Sequence, residues 1–533
     1  MAALQRSVVG GLVPVVCLLL AYQGVTAQFD AAVAALSSAM TALEQGNLFS
    51  GVVHVEVAGN TVFEKAYGKA NYELDVPMKT DSIMPIGSNT KFFTAVAIHQ
   101  LAQAGKLDLD GDVAKYFNLS DFGAGSGNWC PRVYNQTYNA TVTCEKVTLR
   151  QLLGMAGGVL GVDNCAYAPD SWQAPLCWIN KPLNWTYLDI YNLMQGTISV
   201  ADVIHLQGFL PLPLEFTPGN GYHYSNPGFY LAGYVIEKVS GMPYGEYIRT
   251  QIIEPAGLNN THYYVTNGAD RILPGLVELP SYGSLFKPVA ALAQGGLTDS
   301  LTSNLDSLDP QQNFTAELQP PFGGLVAINR LVNFPGEQAL GGPAGAMVGT
   351  AADLARWYYT FTTNPGRIGL TTATMTDLLR PYNRLELPGA EGQAQPNTFF
   401  AQGMGSVPSS IPGAPYGVAE LEYLGSLANF EAGVRLYMVS NDVKAAVVAT
   451  VFSNLQPNIP TDQWPGYNAT SCTLQDANGT PQPVPQLWCQ VSTASEVNNY
   501  IFQQVIEPNF LAGLDWPARV RGNSTAAAAG VSG

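Results

Sequence analysis

The sequence predicts an α+β fold: an antiparallel sheet built from both chain ends, flanked by helices, with a mainly helical region inserted between. Three observations carry this expectation. Near the start, Gly51–Val57 and Thr61–Tyr67 alternate around Ala58-Gly59-Asn60 and read as a β-hairpin. Near the other end, Gly433–Val439 and Lys444–Phe452 read as a second hairpin around Asn441-Asp442. The long stretch between them carries mostly helical patterns and loops.

The composition bounds the function. The chain has 533 residues, 24 Lys+Arg against 40 Asp+Glu, and a formal net charge of −16. Only 12% of residues are charged and 47% are hydrophobic. A disordered chain needs the opposite balance. A nucleic-acid binder needs clustered Lys and Arg, which this chain lacks, so no nucleic-acid partner is expected. With 54 Gly and 36 Pro and no collagen-like period, loops are expected to be abundant.

The elements follow in chain order. Arg6, the apolar run Val8 to Leu20 and the small-residue site Val25-Thr26-Ala27 read as a signal peptide over 1–27. That run is too short and broken for a membrane span, so the mature chain is expected to start near Gln28 and to be secreted without a membrane span. Residues 29–45 place Val33, Leu36, Met40 and Leu43 on one helix face, with Gly46 as the stop. Residues 88–104 predict a buried helix, apolar nearly all round and ended by Gly105. Gly228 to Val239 predicts another, with Asn226 as N-cap, Pro227 at its first position and Gly241 at its end. Residues 493–506 predict a final helix on the sheet. Residues 28–510 are expected to be one catalytic domain with insertions at about 121–146, 160–210 and 456–492. A partly disordered tail is expected over 511–533, low in complexity after about Arg521.

The cysteines agree with export. Cys17 lies in the signal peptide, and six remain. Six cysteines allow 15 connectivities. The simplest is neighbour pairing, Cys130–Cys144, Cys165–Cys177 and Cys472–Cys489. The alternative, metal binding, lacks a CxxC or a His pair at i, i+4, and no metal is expected. Sequons at Asn118, Asn135, Asn139, Asn184, Asn259, Asn313, Asn468, Asn478 and Asn523 also suit a secreted glycoprotein.

The chemistry concentrates in two places. Ser88 and Lys91 share a face at the start of the 88–104 helix. A serine there is ordinarily an N-cap, and a lysine ordinarily a surface residue with its stem along apolar neighbours. A neutral lysine can instead take the proton that a serine must lose to become a nucleophile. An ordinary lysine titrates near 10.4, so holding half of it neutral at pH 7 costs about 4–5 kcal/mol. Burial in an apolar helix can supply that. The helix N-terminus favours negative charge developing at the serine. Ser284 and Lys287 have the same spacing, but Pro288 follows and no helix does, so they read as a decoy. The second place is Gly221-Tyr222-His223-Tyr224-Ser225-Asn226-Pro227. Capping explains Asn226 but not Tyr224, which can act as an acid/base if it points into a cleft. Tyr116-x-Asn118 repeats the spacing, but Asn118 heads a sequon in an expected surface loop.

These stretches resemble the class C β-lactamase and penicillin-binding-protein-related serine hydrolases. The matching segments are Ser50-Gly51, Tyr67-Gly68, Ile86-Gly87-Ser88-Asn89-Thr90-Lys91, Leu107-Asp108-Leu109-Asp110 and Val147 to Leu153. They continue through Phe216-Thr217-Pro218-Gly219, Tyr224-Ser225-Asn226, Val239-Ser240-Gly241, Pro255 to Leu258 and Gly345 to Leu354. The resemblance spans most of 45–455 in family order. It implies a β-lactamase/transpeptidase-like fold, with Ser88 acylated, Lys91 its base, Tyr224 the partner acid/base, and Asn226 orienting Lys91 and the substrate. It also implies no cofactor.

Two stretches depart from the family pattern. Where the family usually has Lys-Thr-Gly or His-x-Gly, the best register here is Tyr423-Leu424-Gly425, with Ser426 supplying an oxyanion N–H beside that of Ser88. Tyr423 cannot supply a cation for a β-lactam carboxylate, which moves the expectation toward an esterase-like hydrolase. A strand aromatic with no catalytic role is the plainer reading of Tyr423. Met155-Ala156-Gly157-Gly158 stands where the family usually has His-Thr-Ser-Gly, and the plain reading is a difference of backbone packing only. The sequence shows no Gly-x-Ser-x-Gly elbow, His-Glu-x-x-His, P-loop or dinucleotide fingerprint. The five histidines are scattered, and His223 is expected to be structural. The expectation is a secreted, monomeric serine hydrolase acting on a small-molecule or peptide ester or amide. The alternatives are an inactive binding protein of the same fold, and a β-lactamase or D-amino-acid peptidase.

Overall fold

A computed structural model of the chain describes residues 29–45, 48–71, 75–134, 144–162, 171–173, 176, 199–263, 341–384, 399–427, 430–454, 473–475, 481–483, 494–511 and 514. Its centre is an eight-stranded antiparallel sheet. In chain order the strands are β1 (Gly51–Val57), β2 (Asn60–Tyr67), β3 (Asn383–Arg384), β4 (Phe399–Phe400), β5 (Gly405–Pro408), β6 (Val418–Leu427), β7 (Phe430–Tyr437) and β8 (Val447–Ser453). Across the sheet they run β2-β1-β8-β7-β6-β5-β4-β3. The first hairpin thus pairs directly with the last strand, Gly51 opposite Ser453 and Val57 opposite Val447.

Both expected hairpins are present. In the first, Ala58 and Gly59 both take positive φ, 52° and 74°. That is the turn whose twist matches a two-residue β-hairpin. The second differs at its turn. The Asp442 side chain accepts the Lys444 N–H and starts a 3-10 turn over Val443–Ala445, so β8 begins at Val447 rather than at Lys444. Strands β3 to β5, and β6 outside Tyr423-Leu424-Gly425, are not among the expected elements, although β6 alternates at Glu420-Leu421-Glu422-Tyr423.

Alternation assigns the two faces of the sheet. Val53, Val55, Val447, Ala449 and Val451 face one core, while Val52, Val448 and Phe452 face the other. The first core is covered by the 29–45 helix, through Leu36, Met40 and Leu43, and by the C-terminal helical run 494–510, through Val497, Ile501 and Phe502. Both helices were expected. Gly46 and the low-complexity tail lie outside the described residues. The opposite core is larger and holds the helices Thr90–Gln103, Asn226–Ser240 and Ala351–Thr363.

The Thr90–Gln103 helix is buried through Leu101 except at Gln100. Phe93 stacks on Trp357 with ring centroids 4.5 Å apart. A 3-10 turn, Gly87–Asn89, precedes it, so the expected helix start at residue 88 is a tighter turn. Gly105, at φ 68°, follows its end. The Cys130–Cys144 disulfide is present. Cys165, Cys177, Cys472, Cys489, Ser284 and Lys287 lie outside the described residues. Among the described residues, no helix is long and apolar enough to cross a membrane.

Candidate active site

Packing places Ser88. The short strand Met84–Pro85 pairs with Met347–Gly349, and Ile86 N–H donates to the Met347 carbonyl at 3.0 Å. The 3-10 turn then delivers Ser88 at the head of the buried helix. Two glycines let this turn lie directly against β6. A Cβ on Gly87 would meet the Ser426 backbone at 2.8 Å, and one on Gly425 would meet the Ile86 oxygen at 2.0 Å. Asn89 is buried and donates from Nδ2 to the carbonyls of Ile86, at 3.1 Å, and of Ala432, at 2.8 Å. Ala432 is the β7 partner of Gly425. The turn and the strand are therefore fixed to one another at Ser88.

The Ser88 hydroxyl does not cap its helix. Its Oγ lies 2.5 Å from the Tyr224 hydroxyl and accepts from Lys91 Nζ at 3.0 Å. Lys91 is fully buried, so it is no surface lysine. Its Nζ also donates to the Ala344 carbonyl at 2.8 Å and lies 4.8 Å from the Tyr224 ring centroid. Among the described residues, no carboxylate pairs with it. Thr94 holds the same loop by donating to the Pro343 carbonyl at 2.6 Å, and Thr90 accepts the Met347 N–H at 3.1 Å.

Tyr224 comes from the extended segment before the Asn226–Ser240 helix. The expected cap is shifted by one residue: Ser225, not Asn226, accepts the Gly228 N–H, so Pro227 sits one place further in. This leaves Asn226 free of capping, and its buried Oδ1 has no partner among the described residues. No hydrogen bond joins Asn226 to Lys91 there.

Tyr423 lies on β6 with its hydroxyl 3.5 Å from that of Tyr224, at the outer limit of a hydrogen bond. Its ring meets Phe400 edge-on at 6.1 Å, and Phe400 in turn lies 6.1 Å from Tyr222. Burial holds the Tyr423 hydroxyl well above the usual tyrosine range, and neighbouring Tyr224 adds to the shift. Burial and Tyr224 likewise raise Tyr222. Both phenols therefore stay neutral at pH 7. His223 pairs with Glu215 at 2.6 Å, as suits a structural histidine. Asn118 caps the 3-10 turn Leu119–Phe122 at the surface.

The structure thus brings Ser88, Lys91, Tyr224 and Tyr423 together, with Gly425 and Ser426 against the turn that carries Ser88. Ala344, Asn89, Tyr222 and Phe400 also line or brace this place and were not anticipated. Asn89 and Tyr222 stand inside the two motifs, and Ala344 stands beside the Gly345-Ala346-Met347 stretch, but the sequence carries no sign of these contacts. Among the described residues, no group of His, Cys, Asp or Glu side chains could hold a metal ion. Chemically, a hydroxyl held between an amine and a phenol at a helix N-terminus can lose its proton and attack an electrophile.

Comparison with known proteins gives the family and the fold. A family model described as Beta-lactamase matches residues 29–463. Penicillin-binding protein 4* of Bacillus subtilis (strain 168) is 26% identical over 251 residues, 47% of this chain and 45% of that protein. The chain thus spans less than half the length of this curated relative. A penicillin binding protein from Bacillus halodurans shares the fold, with TM-score 0.51 and 19% identity over 78% of this chain and 94% of that one. So does EstCE1, described as a hydrolase with promiscuous acyltransferase activity, with TM-score 0.51 and 18% identity over 81% and 94%.

Proposed function

This chain belongs to the beta-lactamase family, a family of serine hydrolases, and from that premise we propose a secreted acyl hydrolase that works through an acyl-Ser88 intermediate. The observation that carries the proposal is the Ser88 oxygen within hydrogen-bond reach of both Tyr224 and Lys91. These groups come from two helix starts far apart in sequence. Capping explains neither contact.

In this mechanism the Ser88 proton passes to the Tyr224–Lys91 pair as Oγ attacks the substrate carbonyl carbon. The carbonyl π electrons move to oxygen, and the oxyanion is received by the N–H groups of Ser88 and Ser426. The C–O or C–N bond then breaks, and the pair returns the proton to the leaving group. A water molecule repeats the sequence on the acyl-enzyme and releases the acid. In this reading Asn226, whose buried Oδ1 lacks a partner among the described residues, accepts a hydrogen bond from substrate.

Tyr423 favours an uncharged ester over a β-lactam or a peptide with a free carboxylate. It presents a neutral phenol, and with Phe400 and Tyr222 it forms an aromatic wall. Burying a substrate carboxylate against that wall without a cation would be costly.

The test is intact-protein mass after exposure to a fluorophosphonate, with the adduct mapped by peptide. The expected result is one adduct on Ser88, lost in Ser88→Ala and kept in Ser284→Ala. Folded protein with no adduct would overturn the hydrolase and leave a binding protein of the same fold.

A further inference from the structure

The loop that replaces a common family motif holds a contact the proposed mechanism does not use. Met155 is buried, at 2% exposure, and takes φ 58°, a left-handed backbone that side-chain-bearing residues rarely adopt. Its carbonyl accepts the His223 N–H at 3.1 Å. Its thioether sulfur accepts the Ser225 N–H at 3.2 Å. The two donors are the backbone N–H groups of the residues on either side of Tyr224. Next to it, Ala156 accepts the Gly219 N–H at 2.8 Å, and Ala156 N–H is anchored on the Gln151 carbonyl at 2.7 Å.

We propose that Met155 is a positioning residue: its carbonyl and its sulfur clamp the backbone before and after Tyr224 and so hold the Tyr224 hydroxyl on Ser88. The proposal rests on the reading of Ser88 and Tyr224 as a working pair. Three features support it. A strained backbone in a buried loop persists only where the surroundings over-determine it. Ser225 is itself buried, so its N–H needs an acceptor, and among the described residues the Met155 sulfur is the one it has. A single extended segment held at the residue before Tyr224 and at the residue after it has little freedom to turn Tyr224 away. Thioether sulfur is a weak acceptor, so its share is modest, and the sulfur contact can be removed without touching the carbonyl contact.

Chemistry supplies the discriminating pair of variants. In histidine, Nδ1 stands the same number of bonds from Cα as Sδ in methionine. Met155→His therefore keeps a lone pair where the Ser225 N–H points. Met155→Leu keeps apolar bulk but puts carbon there. A residue that only fills space would tolerate leucine better than histidine. A positioning residue reverses that order.

The experiment measures two quantities in the full chain and both variants: the rate of fluorophosphonate labelling at Ser88, and the Tyr224 Oη to Ser88 Oγ separation in crystal structures. Losing one buried hydrogen bond should slow labelling of Met155→Leu on the order of tenfold. Its Tyr224 hydroxyl should move out of hydrogen-bond range, while Met155→His keeps both the contact and the larger part of the rate. A leucine variant with the parental rate and contact, or a histidine variant as impaired as leucine, overturns the proposal. If the parent itself is not labelled, the acyl-serine reading fails, and the separation in the two variants alone decides the role of Met155.

Discussion

Replacing Gly425 by alanine adds one methyl group to the tightest contact of the site. A Cβ there would stand 2.0 Å from the Ile86 oxygen, 3.0 Å from its carbonyl carbon and 2.7 Å from Asn89 Nδ2. An ordinary carbon–oxygen contact is about 3.3 Å or longer, so β6 and the Ser88 turn must separate by roughly 1 Å. Neither side yields cheaply. The oxygen is backbone, held in a turn that Met347 and Asn89 anchor, and β6 is paired along its length with β7. Overpacking of this kind costs about 1–3 kcal/mol of stability. The larger effect falls on chemistry. A 1 Å separation withdraws the Ser426 N–H from an oxyanion on Ser88, and losing one such donor costs about 10²–10³ in rate. The assay is the rate of fluorophosphonate labelling, whose phosphoryl oxygen needs the same donors, measured alongside thermal melting. Gly366→Ala is the control, because its Cβ would meet nothing closer than Asn364 Oδ1 at 3.8 Å. Parental labelling and melting in Gly425→Ala would refute both the close contact and the role given to Ser426.

Two further outcomes are expected. Tyr423→His puts an ionisable ring beside Tyr224 and should raise the ratio of activity on carboxylate-bearing substrates to that on neutral esters by about tenfold, with melting within a few degrees of the parent, since one added charge contact is worth about 1.4 kcal/mol; an unchanged ratio, read by competition between the two substrates, would remove Tyr423 from specificity. Glu420→Gln tests the buried charges around Arg435. Burial holds the Glu420 carboxyl well above the usual carboxylate range, Arg435 opposes the shift, and Glu422 and Glu507 add to it. The folded state therefore keeps a proton that the unfolded chain releases above about pH 4.3, and the parent loses stability as pH rises from there. The glutamine variant should melt higher than the parent at pH 8 and equally at pH 4, and a difference independent of pH would contradict the shift.

The fold was legible where hydrophobic alternation and turn chemistry agree. Val52 and Val53 face opposite cores, as the period of two requires. Ala58-Gly59-Asn60 marks its turn. The 383–408 strands were hidden because they are two to four residues long and carry Gly, Ser and Pro. Pattern reasoning needs a longer window. Of the site, Ser88, Lys91 and Tyr224 could be found from spacing and resemblance because their chemistry constrains residue type. Ala344 could not, since it acts through a carbonyl that every residue has. Asn89 and Met155 were visible as letters but not as contacts, because their partners lie 343 and 70 residues away.

The starts of the helices show what local rules concede to the site. Thr148, Ser199, Ser225, Thr350 and Thr371 each cap a helix by accepting a backbone N–H. The helix that carries Lys91 has no side-chain cap, although Ser88, Asn89 and Thr90 all stand at its head. The Ser88 hydroxyl is taken by Tyr224 and Lys91, the Asn89 amide by Ile86 and Ala432, and the Thr90 hydroxyl by the Gly87 carbonyl and the Met347 N–H. Forgoing a cap costs about 1 kcal/mol, and packing of a helix buried from Thr90 to His99 readily outweighs that. The consequence is functional. The preceding 3-10 turn takes up the first N–H groups instead, Asn89 N–H on the Ile86 carbonyl and Thr90 N–H on the Gly87 carbonyl, and the positive end of the helix dipole is left facing the place where an oxyanion would form. The uncapped start is therefore the local rule this site is built by breaking.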